Sequence, residues 1–152
     1  MKVLLIDDDP DKRDRIAALV REVTGMGTVI DPAESLRSGL RKLLSPDKFD
    51  LVLLDMSMPS FDIGSHEPEG GSPESFAGRD LLEQMRLRGI STPTVVVTQY
   101  RMFDRGSVTL ENLDAEFSAK FSEFYRGAVY YNSATEGWRK QLTTYLLRAL
   151  EP

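Results

Sequence analysis

Hydrophobic positions along this chain fall into two alternating kinds of stretch. Val3-Leu4-Leu5-Ile6, Leu51-Val52-Leu53-Leu54 and Val95-Val96-Val97 are short runs, apolar throughout and rich in branched side chains. Such runs predict strands covered on both faces, as in a parallel sheet. Between them the apolar residues recur at helical spacing. Ile16, Leu19, Val20 and Val23 predict a helix over about 11–24, with Pro10 in its first turn, Asp9 as its cap and Gly25-Met26-Gly27 as its stop. Thr28–Ile30 is a short second strand. Leu36, Leu40, Leu43 and Leu44 mark a second helix, ended by Ser45-Pro46, and Phe49–Asp55 is the third strand. A third helix is predicted over 79–88, stopped by Gly89, before the fourth strand, Thr94–Thr98. Leu110, Leu113, Phe117, Phe121 and Phe124 predict an amphipathic helix over 109–125. Ala128–Tyr131 is the fifth strand. Ser133-Ala134-Thr135-Glu136 has the form of a capping box opening a last helix that carries Trp138, Leu142, Tyr145, Leu146 and Ala149.

Five strand–helix pairs in this order predict an α/β fold, a (βα)5 doubly wound five-stranded parallel sheet of flavodoxin-like type. The 152 residues suffice for one core, so residues 1–152 are expected to form a single domain. Two segments break the rhythm. Residues 60–78 are rich in Gly, Pro, Ser and Glu with little apolar periodicity and predict a flexible loop insertion; residues 100–127 form an extended loop plus the fourth helix.

Composition narrows the function classes. The net charge is −5 and no Lys/Arg run occurs, which argues against a nucleic-acid partner. There is no cysteine, so thiolate chemistry and Cys-based metal sites are excluded. The longest apolar run, Ile16–Val20, is far short of a membrane span, and the N-terminus enters a strand with no signal-peptide pattern. No membrane partner and a cytoplasmic location are therefore expected.

The candidate chemistry lies at strand ends. In open α/β sheets, ligands bind beyond the carboxyl ends of the strands. The first strand ends in Asp7-Asp8-Asp9, the third in Asp55 followed by Met58-Pro59, and the fourth in Thr98. Mg²⁺ takes hard oxygen ligands, usually one or two carboxylates with waters and phosphate oxygens. Asp7 and Asp8 suit it, Asp55 is the expected third contributor, and the backbone carbonyl of Ser57 is a further candidate ligand. A carboxylate such as Asp55 at the end of buried aliphatics can act as a nucleophile and accept a phosphoryl group as an acyl phosphate. The Thr98 hydroxyl can donate to a phosphoryl oxygen. His66, the single histidine, sits in the loop insertion with no positioned partner and is read as a solvated residue.

Together these stretches resemble the receiver domain of bacterial two-component response regulators. The resemblance rests on Val3-Leu4-Leu5-Ile6-Asp7-Asp8-Asp9-Pro10, Leu53-Leu54-Asp55-Met56-Ser57-Met58-Pro59, Gly78-Arg79-Asp80-Leu81-Leu82 and Thr94-Val95-Val96-Val97-Thr98. It implies Mg²⁺ on Asp7 and Asp8, phosphorylation of Asp55 by a histidine kinase or phosphotransfer protein, and sensing by Thr98. It also implies Tyr130 or Tyr131 as a switch aromatic and signalling through a downstream effector protein. Receivers often dimerise, so a homodimer is among the implied partners. One departure matters most. The family carries Lys-Pro at the end of its fifth strand, whereas this chain reads Tyr130-Tyr131-Asn132-Ser133. Arg101, Arg139 and Lys140 are the candidates to supply the missing cation. A pseudo-receiver, which keeps the fold and acts as a phosphorylation-independent protein-interaction module, is the competing reading. A third is a phosphatase with Asp7 as nucleophile, from the similarity of Asp7-x-Asp9 to haloacid-dehalogenase-like enzymes. Asp11 stands where those carry Thr or Val, and their later Lys and acid pair has no counterpart to place.

Overall fold

The computed structural model describes residues 1–59, 76–103 and 106–152. Its elements are β1 (Lys2–Ile6), α1 (Pro10–Thr24), β2 (Val29–Ala33), α2 (Leu36–Leu44), β3 (Leu51–Leu54), α3 (Ala77–Leu87), β4 (Thr94–Thr98), β5 (Met102–Phe103), β6 (Val108–Thr109), α4 (Leu110–Lys120), β7 (Tyr125–Tyr130) and α5 (Gly137–Leu150). Five strands form one parallel sheet in the order β2-β1-β3-β4-β7. This is the doubly wound flavodoxin-like arrangement that the periodicity predicts.

Burial explains why the strands read so differently. All of β3 and β4 are buried, in keeping with their unbroken aliphatic runs. The edge strand β2 is largely accessible and tolerates Pro32, which has no N–H to give to a ladder. One apolar layer packs α2, α3 and α4 on one face of the sheet through residues such as Leu40, Leu81, Met85, Leu113 and Phe117. The other layer packs α1 and α5 through Ile16, Leu19, Val20, Trp138, Leu142 and Leu146.

Caps set the helix starts. The Asp9 side chain accepts from the amides of Asp11 and Lys12, and Pro10 occupies the first helical position, so α1 begins where the sequence predicts. Three boundaries differ from the sequence reading. The apolar period over 109–125 continues past the helix, because α4 ends at Lys120 and residues 121–124 form a turn that keeps helix-like bonds, such as Tyr125 N–H to the Phe121 carbonyl. The fifth sheet strand, β7, therefore starts at Tyr125 rather than Ala128. The capping box is also corrected: Asn132 accepts from the amides of Ala134 and Thr135, which uses this stretch as a turn, and α5 begins at Gly137 with no side-chain cap.

Ala77 and Gly78 belong to α3 rather than to the loop insertion, whose residues 60–75, His66 among them, lie outside the described residues. Gly78 is needed where it stands. A Cβ there would lie 2.7 Å from the Asp55 carbonyl oxygen and 2.9 Å from the Met56 Cα, while its N–H donates to the Met56 carbonyl. The start of α3 thus presses directly on the backbone that carries Asp55. Within 100–127, the short antiparallel pair β5–β6 was not anticipated; it leads into α4.

Candidate functional site

Sheet register brings the acids together. Ile6 pairs with Leu54, so the next residues, Asp7 and Asp55, leave adjacent strands side by side. The ladder runs one rung further on each: Asp55 N–H donates to the Ile6 carbonyl at 2.9 Å, and Asp7 N–H to the Ala33 carbonyl at 2.9 Å. Asp7 is 1% exposed and Asp55 4%, while Asp8 is half-buried. One carboxylate oxygen from each of the three lies within 4.8 Å of the others.

Three carboxylates this close repel one another, and burial strengthens the repulsion. The compensating charge is Lys12, which is only 1% exposed. Its Nζ lies 2.7 Å from Asp7 Oδ2 and 3.3 Å from Asp55 Oδ1, and donates to the Val97 carbonyl at 2.8 Å. An ammonium has three protons and no acceptor, so these three partners satisfy it. The ring of Tyr131 lies 5.7 Å from the same nitrogen. Further bonds orient the acids: the Met56 amide donates to Asp55 Oδ1, the Asp9 amide to Asp7 Oδ1, and Arg13 Nη1 to the Asp7 carbonyl.

The protonation equilibria follow from this packing. Burial pushes the Asp55 carboxyl up to about 7, against the pull of Lys12, with Asp7 and Asp8 adding to the rise. Asp8 is raised by burial and then by the charge of Asp7. For Lys12, burial alone would lower the value, but the Asp55 and Asp7 carboxylates outweigh it and hold the ammonium firmly charged.

Sequence reasoning missed Lys12, yet it left a signal. Positions 12, 16, 19, 20 and 23 lie on one helical stripe, so Lys12 is a charge on the apolar face of α1, four residues before Ile16. Such a position keeps a charge only when a partner waits for it inside. The cations proposed from the sequence do not enter the site. The Arg101 guanidinium lies 4.1 Å over the Tyr130 ring, Arg139 pairs with Glu22 and Glu136, and Lys140 is exposed.

The remaining predicted residues sort by face. Leu54 pairs with Val96, so Asp55 stands level with Val97 and Thr98 lies one residue beyond, fully buried. Thr98 Oγ1 accepts from the Tyr100 amide at 3.4 Å, and the Thr98 carbonyl accepts from the Tyr131 amide at 2.7 Å. Tyr131 is core on the α1/α5 face, its ring 4.8 Å from that of Trp138. Tyr130 is half-buried on the opposite face, beneath Arg101. Ser57 is half-buried two residues past Asp55.

The donor set fits a hard divalent cation: three carboxylates converge, two buried and the third half-open, with no softer ligand among them. Lys12 offsets part of their charge from the inner side.

No family model matches the chain. It is 31% identical over 144 residues to the Detocs response regulatory protein DtcB of Enterobacter cloacae, covering 93% of this chain and 95% of that protein. It is 25% identical over 156 residues to the protein of the same name from Vibrio alginolyticus, covering 95% and 98%. Among solved structures, the N-terminal domain of a response regulator/sensory box/GGDEF three-domain protein from Carboxydothermus hydrogenoformans superposes with a TM-score of 0.64 at 19% identity, covering 99% of this chain and 94% of that one. At that identity the likeness speaks for the fold.

Proposed function

This chain belongs to the response-regulator receiver family, and from that premise we propose that it signals by accepting a phosphoryl group on Asp55. The observation that carries the reading is the convergence of Asp7, Asp8 and Asp55 at the carboxyl edge of the sheet, with Asp55 buried, oriented and facing a cation. The donor is a phosphohistidine on a kinase or phosphotransfer protein. An Asp55 carboxylate oxygen forms the new O–P bond as the donor N–P bond breaks, and the leaving imidazole takes a proton from solvent.

Asp7, Asp8 and Asp55, with the Ser57 carbonyl, would hold Mg²⁺, whose chemistry is to offset anionic repulsion and stabilise the transferring group. The chain's own residues do the rest. The Met56 amide fixes the acceptor carboxylate, and the amides of Asp9 and Asp55 hold the site's backbone in register. Thr98 reads the new charge through its hydroxyl. Tyr130 is the switch aromatic of choice, since it shares the α3/α4 face with α4 and the β5–β6 pair and is half-exposed, whereas Tyr131 is wedged against Trp138. Output passes through this outer face to a downstream effector protein, in the cytoplasm. No described helix is long and apolar enough to cross a membrane.

One observation favours the alternative, a phosphorylation-independent interaction module: the strand end after β7 has Tyr130-Tyr131-Asn132 in place of Lys-Pro. Thermal melting with Mg²⁺ and beryllofluoride separates the two. A ligand that binds only the folded state raises the melting temperature. A rise in wild type that disappears in Asp55→Asn supports the acceptor; no rise in either supports the interaction module.

A further inference from the structure

Among the described residues, Lys12 is the one cation almost wholly enclosed at the acid site, and it comes from a helix rather than from a strand end. A lysine on the inner stripe of α1 loses hydration that only strong partners replace. Here those partners are Asp55 itself, Asp7 and the Val97 carbonyl of β4. A buried ammonium needs an acceptor for each of its three protons. This one bridges the ends of β1, β3 and β4, with Asp55 as its longest contact at 3.3 Å against 2.7 Å and 2.8 Å to Asp7 and Val97. Its anchors are therefore Asp7 and Val97, and its third proton points at the group that would be modified.

The strand end where the family resemblance leads one to expect a lysine is filled. Tyr131 N–H closes the last rung onto the Thr98 carbonyl, and its ring packs against Trp138 with the Lys12 ammonium 5.7 Å away. The cation and the strand-end side chain thus lie on the same face of the sheet. Tyr131 occupies the space behind the ammonium instead of supplying one.

We infer that Lys12 is the phosphoryl-binding cation of this site, supplied from the first turn of α1 in place of the strand-end lysine. The inference rests on the acceptor reading of Asp55. When the Asp55 oxygen forms its O–P bond, the carboxylate charge at Oδ1 is lost and the phosphoryl oxygens bring new negative charge. The third N–H of Lys12 then turns its hydrogen bond from Asp55 Oδ1 to a phosphoryl oxygen, while the bonds to Asp7 and Val97 are kept. A flexible point charge on a four-carbon stem suits that small move. The ammonium is charged before and after, and no proton leaves it.

The test is the rate of phosphoryl uptake from acetyl phosphate with saturating Mg²⁺, in wild type, Lys12→Met and Asp55→Asn. In this assay the Asp55 O–P bond forms as the P–O bond to acetate breaks, and acetate leaves as the carboxylate. Loss of a preorganised charge from such a site slows the chemical step by about a hundredfold, so Lys12→Met is expected to label about a hundredfold more slowly than wild type, with Asp55→Asn unlabelled. Equal rates in wild type and Lys12→Met overturn the assignment of Lys12 while leaving Asp55 as acceptor. No uptake by wild type overturns the acceptor reading, and with it this inference.

Because Lys12→Met also breaks a buried ion pair, a crystal structure of the wild-type protein with Mg²⁺ and beryllofluoride provides the second measurement. Lys12 Nζ within hydrogen-bond distance of a fluorine supports the inference. Lys12 retained on Asp7 and Val97 with another side chain on the fluorines overturns it.

Discussion

The two faces of the sheet meet the carboxyl edge in contrasting ways. On the α1/α5 side, Lys12, Asp7, Asp55, Tyr131 and Trp138 form one enclosed block in which every ammonium proton has an acceptor. On the α3/α4 side, Thr98 is buried, but beyond it the surface opens: Tyr130 is half-buried under Arg101, Tyr100 and Met102 are exposed, and α4 is tied to α3 by the ion pairs Arg79–Glu116 and Lys120–Glu83 near the surface. Charges inside the first block have no water to fall back on, so each depends on the others. Those on the second face are screened and individually worth little. The difference suits a division of labour, with chemistry held rigidly on one side and a readout that can rearrange on the other.

The largest effect is expected where the enclosed block is broken. Lys12→Met leaves two buried carboxylates unpaired and should lower stability by about 3–5 kcal/mol near neutral pH, read by urea denaturation. Adding Asp55→Asn to it should recover part of that loss. If the single variant costs under about 0.5 kcal/mol, the block is not coupled as described.

Next comes Gly78→Ala, which drives a Cβ into the Asp55–Met56 backbone. Overpacking of this kind costs about 1–3 kcal/mol, again in urea melts. The same change at the exposed Gly137, where nothing lies within 4 Å of a Cβ, should cost little by comparison.

A smaller effect distinguishes the faces by pH. Asp55 titrates near 7 when folded, above the unfolded carboxylate value near 4, because burial disfavours its charged form. Between those values the folded state holds more protons than the unfolded one, so without metal its stability falls as pH rises, by at most about 1.4 kcal/mol per pH unit. Lys12 acts in the same direction but only at high pH: its value is raised, so the folded state keeps its proton longer than the unfolded one, and the stabilisation is lost as pH rises past the ordinary lysine range. Metal-free Asp55→Asn is therefore expected to exceed wild type in melting temperature above pH 7, the gap closing toward pH 4. A gap that widens on acidification contradicts the electrostatic picture.

The smallest effect belongs to the open face. Arg101→Ala removes the cation over Tyr130, a contact of about 0.5–1 kcal/mol at an exposed site. It should leave beryllofluoride binding unchanged while altering Tyr130 ring signals in NMR spectra. Loss of beryllofluoride binding in that variant would erase the division between the faces.

Much of this was legible in the sequence because parallel sheets write themselves plainly. Four aliphatics before Asp55 and four before Asp7 predict buried strands, and a shared register then sets the acids side by side. The fate of the missing cation was less legible. Lys12 follows Asp9-Pro10-Asp11 in an evidently polar first turn, where a lysine is ordinary, and only its place four residues before Ile16 marks it as inward-facing. The start of β7 was hidden because Phe121 and Phe124 keep helical spacing through a turn. The false capping box arose because Asn132, one residue earlier, captures the amides that a cap at Ser133 would have organised. In each case a local pattern was real, but a neighbouring hydrogen-bond acceptor decided its use.

Phosphoryl acceptance by Asp55 underlies the function proposed for this site. The direct measurement is to treat the protein with a small phosphoryl donor and Mg²⁺, reduce the product with borohydride, which cleaves an acyl phosphate and leaves homoserine in place of the aspartate, and map the peptide by mass spectrometry. Homoserine is expected at position 55 alone, dependent on Mg²⁺. Homoserine at position 7, or an unmodified chain after full exposure to the donor, would contradict it.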